Sequence, residues 1–339
     1  MTGYDIVKGN INFTSPERIG LRFDRIAGVS DVYRIFVLPP REGRAPGATV
    51  EKKVRPSSGR YDEWGCMWTS ISESGTDMGQ VTNIPIDDWD KWESYAMPDP
   101  KAEGRFDGLE EALKKAEKKG LYVQLNSPHC IFERMHFLRG FENTLMDCYL
   151  EPGMISDMAS KLADFQIGII EEAYRLSRGR IHCYDTTDDW GSQNSLLISP
   201  DIFRKIFKPQ YKRIVDRCHE LGMDVRFHTD GKINDIIPDF IELGIDILNI
   251  HQPRLLDIDL VSKIAQGRIC FEAAVDIQAT MPSGSKALIE AEVRELCDKW
   301  GTPQGGLIGV EYGYPEAIDT TRDSMLYALE CFQKYGRRR

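Results

Sequence analysis

Short apolar runs in this chain are repeatedly followed by side chains able to bind a metal, move a proton or hold a substrate. The fullest case is Met223-Asp224-Val225-Arg226-Phe227, which leads into His228-Thr229-Asp230-Gly231. An imidazole can ligate a metal or exchange a proton near neutral pH, so His228 is the first candidate for chemistry; its plainer role is a loop hydrogen bond to Asp230. Asp230 can be a second ligand, an orienter of His228 or the cap of a following helix, and Gly231 permits a sharp turn. Other runs end in the same manner, at Asn126, at Asp188 and Asp189, at His251 and Gln252, at Asp276 and Gln278, and at Glu311 and Tyr312. Adjacent residues of extended backbone point to opposite sides, so one of Asp188 and Asp189 enters the cavity, and Asp189 is the one chosen. A carboxylate such as Glu311 in a narrow cavity needs a partner or a metal. His251, Gln252, Asp276 and Gln278 suit substrate contact, and Glu63, Trp64, Trp68, Phe132, Glu133 and Tyr312 could wall a flat apolar substrate. Trp64 and Trp68 serve equally as core packing.

These side chains must be positioned by elements that alternate. Strands are expected over Leu121–Leu125, Arg180–Tyr184, Met223–Phe227, Ile245–Ile250, Arg268–Glu272 and Gly306–Val310. Helices are expected over Gly108–Lys119, Pro152–Leu176, Ser199–Leu221, Ile233–Leu243, Asp259–Ala265, 285–300 and Asp323–Lys334. Short strands alternating with helices demand parallel crossovers. Polar residues after several strands in series favour a closed (β/α)8 barrel over an open sheet, and no Gly-rich phosphate-binding motif supports the open alternative. The first 104 residues read as an N-terminal elaboration. In it Thr14-Ser15-Pro16-Glu17-Arg18 resembles a helix start, 38–60 a loop, and the aromatic run Tyr61 to Trp68 a cover for the mouth. The whole chain is expected to be one domain.

Composition narrows the class. The 339 residues carry a formal charge of −10, which argues against a broad nucleic-acid-binding face. Apolar residues make up 41% and charged residues 28%, a globular balance. The eight cysteines include no Cys-x-x-Cys pair, and no apolar run approaches the ~20 residues of a membrane span. Free thiols without a leader segment point to the cytoplasm.

Beyond these local readings, an ordered set of motifs resembles the uroporphyrinogen decarboxylase superfamily. It runs through Thr14–Arg18, Glu142-Asn143, Asp188-Asp189-Trp190-Gly191-Ser192-Gln193, Ile198-Ser199-Pro200 and Phe227-His228-Thr229-Asp230-Gly231. It continues with Ile236-Ile237-Pro238, Gly244–Asn249, Gln252-Pro253 and Val275-Asp276-Ile277-Gln278. The resemblance implies a distorted (β/α)8 TIM-type barrel. Decarboxylases of this superfamily use an Arg-Gln-Ala-Gly-Arg segment that has no counterpart here. The chain is more similar to the zinc-dependent methyltransferase branch, in which methyl passes to or from a cobalamin on a separate corrinoid protein. That resemblance implies Zn²⁺ held by His228 and Glu311, with Asp189 or Asp230 nearby, although Asp230 stands where coenzyme M enzymes have cysteine. Harder ligands would suit a methoxylated substrate and an O-demethylase reaction. Catalytic roles then fall to His228, Asp189, Glu311 and Asp230. A metal-independent decarboxylase or lyase, an inactive binding barrel, and a homodimer are the remaining implications.

Overall fold

The protein is described by a computed structural model covering residues 1–44, 48–51, 59–70 and 79–337. Parts of the loop expected over 38–60, together with Arg338 and Arg339, lie outside the described residues. Eight parallel strands form the barrel: β1 (Gly20–Phe23), β2 (Val32–Phe36), β3 (Tyr122–Asn126), β4 (Cys183–Thr187), β5 (Asp224–His228), β6 (Ile247–Ile250), β7 (Cys270–Ala273) and β8 (Leu307–Val310). Each pairs with its neighbour in the order β1-β8-β7-β6-β5-β4-β3-β2. The seam between β1 and β2 is closed by a short antiparallel strand, Val29–Ser30, and by Asp31. The Asp31 N–H donates to Leu21 on β1 (2.8 Å), and its carbonyl accepts from Tyr122 on β3 (2.9 Å).

Helices cover the outside and the base of the barrel. They are α1 (Gly3–Ile11), α2 (Leu109–Lys119), α3 (Phe132–Arg139), α4 (Phe141–Leu150), α5 (Pro152–Ser177), α6 (Lys208–Glu220), α7 (Ile237–Leu243), α8 (Ile258–Ala265), α9 (Lys286–Lys299) and α10 (Arg322–Tyr335). In α2 the buried set Leu109, Ala112, Leu113 and Ala116 follows helical spacing, and Gly120 in the left-handed region ends the helix. Among the described residues, no helix is long and apolar enough to cross a membrane.

Alternation along the strands sorts the barrel interior into tiers. At the amino-terminal end Val32, Tyr122, Cys183, Ile247, Cys270 and Ile308 pack on Val7 and Ile11 of α1, which plugs the base. Above them comes a charged tier. Arg226 bonds to Glu272 and to Asp185 (2.5 Å), Arg22 to Glu272 (2.5 Å), and Arg34 to Asp185 (3.0 Å). The uppermost inward positions include Asn126, which is buried, and His228, which is partly exposed.

Three expectations change. The stretch taken as an elaboration supplies two of the eight barrel strands and the basal plug. Thr14–Arg18 is not helical: Ser15 has φ 56°, and Arg18 instead clamps Asp31 through two bonds of 2.6 and 2.7 Å, fastening the β1 side of the seam. Asp185-Thr186-Thr187, taken as loop, completes β4, because Arg226 and Arg34 give Asp185 partners inside the barrel. The run Tyr61–Trp68 belongs to a small three-stranded sheet, with the Asp62 carboxylate accepting from the Trp64 and Cys66 amides and the Trp68 indole, each at 2.9 Å.

One stability prediction arises here. His182 accepts the Val123 N–H on Nδ1 (2.9 Å), which requires the neutral ring. Burial, with the Lys8 charge adding to it, holds His182 down at about 4, against an ordinary 6.5. The unfolded chain therefore binds the extra proton first, so stability is lost as pH falls from 6.5 to 4. A His182→Gln variant, which keeps an acceptor but no titrating group, is expected to lose less stability over that window in urea unfolding at pH 7 and 4.5.

Candidate metal centre at the barrel mouth

The strand ends converge on one bowl, and the cluster there that could hold a metal ion differs in membership from His228, Glu311 and Asp189. Among the described residues, the His, Cys, Asp and Glu side chains close enough to share a metal ion are His228, Asp230 and His251, with ligand atoms all within 4.8 Å of one another. His228 ends β5 and His251 follows β6, so two adjacent strands deliver the two imidazoles. Their ring centroids lie 4.6 Å apart. The Asp230 carboxylate stands between them, 3.7 Å from His228 Nε2 and 3.5 Å from His251 Nδ1.

Each member is held from behind. His228 Nδ1 lies 2.7 Å from Asn249 Oδ1, while Asn249 Nδ2 donates to the Glu272 carbonyl at 2.8 Å. Because the amide is oriented by that second bond, His228 carries its proton on Nδ1 and turns the Nε2 lone pair toward Asp230 and the cavity. Asp230 accepts the His251 N–H (3.2 Å), and its own N–H donates to Asp189 Oδ1 (2.8 Å). Tyr312 presents its ring edge-on to His251, with centroids 5.4 Å apart.

The turn between His228 and the next helix depends on a close approach of two glycines. Gly231 has φ 85°, and a Cβ on it would overlap the Gly191 carbonyl; one on Gly191 would in turn strike Gly231. Gly231→Ala is therefore expected to push the 188–191 and 228–231 loops apart. It should weaken metal retention at least tenfold in a chelator competition assay while leaving far-UV circular dichroism unchanged. Equal retention would show that the contact does not position Asp230.

The electrostatics oppose one another within a few ångströms. Burial would raise Asp230, but His228 and His251, with the latter's hydrogen bonds, outweigh it and hold the carboxyl at about 2. Burial lowers His251, against the pull of Asp230. Asp189 lies 3.7 Å from His228 Nε2. Its side chain is 47% exposed to the open bowl, yet the surrounding protein strips much of its water. That crowding and the Glu133 charge push Asp189 up to about 7, with His228 pulling the other way.

The other predicted residues fall into clear places. Asp188, the neighbour of Asp189, points away from the bowl. It accepts the amides of Ile131 (2.7 Å), Phe132 (3.0 Å) and Glu133 (2.8 Å) and the Tyr211 hydroxyl (2.5 Å), fixing the amino end of α3. Glu311 lies outside the metal trio. Its carboxylate accepts the Arg25 (2.7 Å) and Ile26 (3.0 Å) amides and fastens the loop after β1, which answers the demand for a partner that burial imposes. Asn126 bonds to Asp185 inside the barrel (2.9 Å). Gln252 accepts from Gly231 (3.2 Å) and Gln193 (3.3 Å). Asp276 closes its own turn on the Gln278 and Ala279 amides (3.0 and 2.9 Å), and Gln278 is exposed. Glu63 pairs with Arg105 (2.9 Å), and Trp64 packs on Phe165, under a guanidinium from Arg134. Glu63, Trp64, Arg105, Arg134, His129 and Phe165 line a side pocket of about 130 Å³. It adjoins the bowl through His129 and Glu133 (3.4 Å), and Glu133 also accepts from Thr187, the β4 neighbour of His228 (2.7 Å).

Two placements are not legible in the sequence. The sequence points to His251 as a substrate contact; the structure adds that it stands with His228 and Asp230 in a group that could hold a metal ion. Asn249, two residues earlier and on the same face, was unremarked; a polar residue inside an apolar strand was the available signal.

In overall shape the chain is similar to a methyltransferase from Methanosarcina mazei, with a TM-score of 0.63 and 16% identity over 80% of this chain and 76% of that one. It is also similar to xylanase 10B from Thermotoga maritima (TM-score 0.40, 10% identity, 68% and 81% coverage) and to xylanase 10B from Thermotoga petrophila RKU-1 (TM-score 0.40, 12%, 69% and 81%). Curated protein sequences give no match. The family model for uroporphyrinogen decarboxylase (URO-D) matches residues 70–322, well over half the sequence and spanning six of the eight barrel strands, and the chain belongs to that family.

Proposed function

We propose that the chain is a methyltransferase, passing methyl from a small methoxylated substrate to the cobalamin of a separate corrinoid protein with the help of a divalent metal, zinc first. The observation that carries this reading is the His228, Asp230 and His251 trio at the mouth of a URO-D barrel. Two imidazoles and one carboxylate make a three-ligand set of the kind that leaves zinc an open position, and the ring nitrogen of His228 is already aimed. The likeness in fold to the Methanosarcina mazei methyltransferase adds weight to transfer over decarboxylation. A bound zinc ion would act as a Lewis acid on the ether oxygen of the substrate and so improve the leaving group.

The chain's own residues then have distinct tasks. Asn249 orients His228, and Asp230 offsets cationic charge between the two rings. Asp189, 3.7 Å from His228 Nε2 on the open side of the bowl, is placed to exchange a proton with the departing oxygen. Glu311 and Asp188 brace the loops around them.

Elemental analysis of the purified protein, followed by a methyl-transfer assay with cob(I)alamin and methoxylated aromatics or methylamines, tests the reading. About one metal ion per chain and substrate-dependent methylcobalamin are expected. Metal-free protein that binds an acidic tetrapyrrole tightly would replace transfer with decarboxylation.

A further inference from the structure

The side pocket beside the bowl is walled from four directions. Val37 follows β2, His129 follows β3, Phe165 comes from α5, and Trp64 comes from the first hairpin of the small sheet. Trp64 and Phe165 meet edge to face, with centroids 4.7 Å apart. The His129 ring is propped from behind by Phe137 and Trp68, at 5.0 and 6.1 Å. Val37 and His129 are partly exposed, so the space is reached from solvent. At about 130 Å³ it is close to the roughly 150 Å³ apolar cavity that accepts benzene in another protein. One six-membered ring fills it.

The charges on these walls are matched. Glu63 binds Arg105 (2.9 Å), Arg134 binds Asp62 (3.3 Å), and His129 lies 3.4 Å from Glu133. Ser127 donates to Gln166 (2.9 Å), which also accepts from Tyr184 (2.8 Å). A charged guest would give up its hydration shell for a site that offers, among the described residues, no spare counter-charge. Arg134 does hold one group in reserve. Its guanidinium lies over the Trp64 ring at 4.6 Å, and its buried Nε has no hydrogen-bond partner. A neutral oxygen would satisfy that N–H without unbalancing the pairs.

We infer that this pocket seats an uncharged aromatic ring bearing an ether or hydroxyl oxygen, with the ring against Trp64, Phe165 and His129 and the oxygen accepting from Arg134 Nε. Aromatic walls favour such a ring over a saturated one of equal size, because its edge and face carry opposite partial charges. Beyond His129 come Glu133 and then Thr187, the β4 register partner of His228. The pocket therefore lies beside the path to the metal trio. It narrows the methyl donor to a methoxyarene, over an aliphatic ether or a methylamine. That narrowing rests on the transfer reading, whereas ring binding does not.

Saturation-transfer difference NMR on the full chain, stripped of metal by a chelator, tests this with anisole, methoxycyclohexane and benzoate. Anisole is expected to bind about fivefold more tightly than methoxycyclohexane, the margin that aromatic contacts supply. Benzoate should give no saturable signal. Val37→Phe puts one of the protein's own rings into the space and should abolish anisole binding. Should that variant fail to fold by circular dichroism, Phe165→Leu, which removes one wall ring, should weaken anisole several-fold. Metal uptake should match wild type in both. Equal binding of anisole and methoxycyclohexane, tighter binding of benzoate, or anisole binding unchanged in the folded variants would overturn the inference. Anisole binding by a chain that takes up no metal would uphold the pocket and remove the transfer reading. Metal uptake and methyl transfer from methylamines, without anisole binding, would do the reverse.

Discussion

Replacing Arg226 with methionine is expected to cost about 3–5 kcal/mol of folding stability, the range seen when one member of a buried ion network is removed. The guanidinium joins two strands' carboxylates at once, through Nε to Glu272 and Nη1 to Asp185. Both carboxylates are essentially without solvent. Burial alone would push them toward protonation. Arg226 and Arg34 nevertheless hold Asp185 below its ordinary 3.8, and Arg22 and Arg226 hold Glu272 below its ordinary 4.5. Methionine fills comparable volume but leaves one oxygen of each acid without its donor. A domain's whole stability is about 5–15 kcal/mol, so this one change should take a large share of it. Lysine offers a single ammonium in place of a fork and cannot reach both acids in the same geometry, so Arg226→Lys should fall between. Urea midpoints at pH 7 in the order wild type, Lys, Met are the expected result; Met equal to wild type would show that the tier contributes nothing net. Because the two acids are depressed, their contribution is full above their unfolded values and drains away as pH falls below them.

That tier also marks where the sequence stopped being legible. Leu307–Val310 announces itself most plainly, because apolar residues face both the helices and the barrel. The mouth histidines announce themselves too, since His228 and His251 follow apolar runs directly. Asp185 does not, because an inward charge beyond the apolar part of a strand reads as polar loop until its partners, distant in sequence, are known. On sequence alone Asp185 therefore belongs to a loop, and the expected strand ends at Tyr184, short of the observed end of β4 at Thr187. β1 and β2 were hidden for a related reason. Each is brief, Arg22 and Arg34 interrupt their apolar pattern, and their closing contacts run through Asp31. Glu311 shows the opposite failure. Its position after a strand was read correctly, but position alone cannot tell a ligand from a carboxylate that pins a neighbouring loop through two amides.

That distinction gives the sharpest test of the site. His228→Ala and His251→Ala are each expected to remove the metal, and Glu311→Gln to retain it, because the Glu311 oxygens are spent on Arg25 and Ile26. Asn249→Ala touches no metal, yet it frees the His228 ring to rotate and to exchange tautomers. Loss of such a partner weakens metal affinity by about 10–100-fold in comparable sites. Competition against a chromogenic chelator at pH 7.5, on protein shown to be folded by circular dichroism, resolves all four variants. A merely structural Asn249 would lower the melting temperature without moving the metal dissociation constant, so the affinity change is the discriminating readout. Were Glu311→Gln instead to lose metal while His251→Ala kept it, the trio would be the wrong set, and the ligand set would have to be His228 with Glu311. The geometry favours the first outcome, since His228 Nε2, with its proton fixed on the opposite nitrogen by Asn249, is turned toward Asp230.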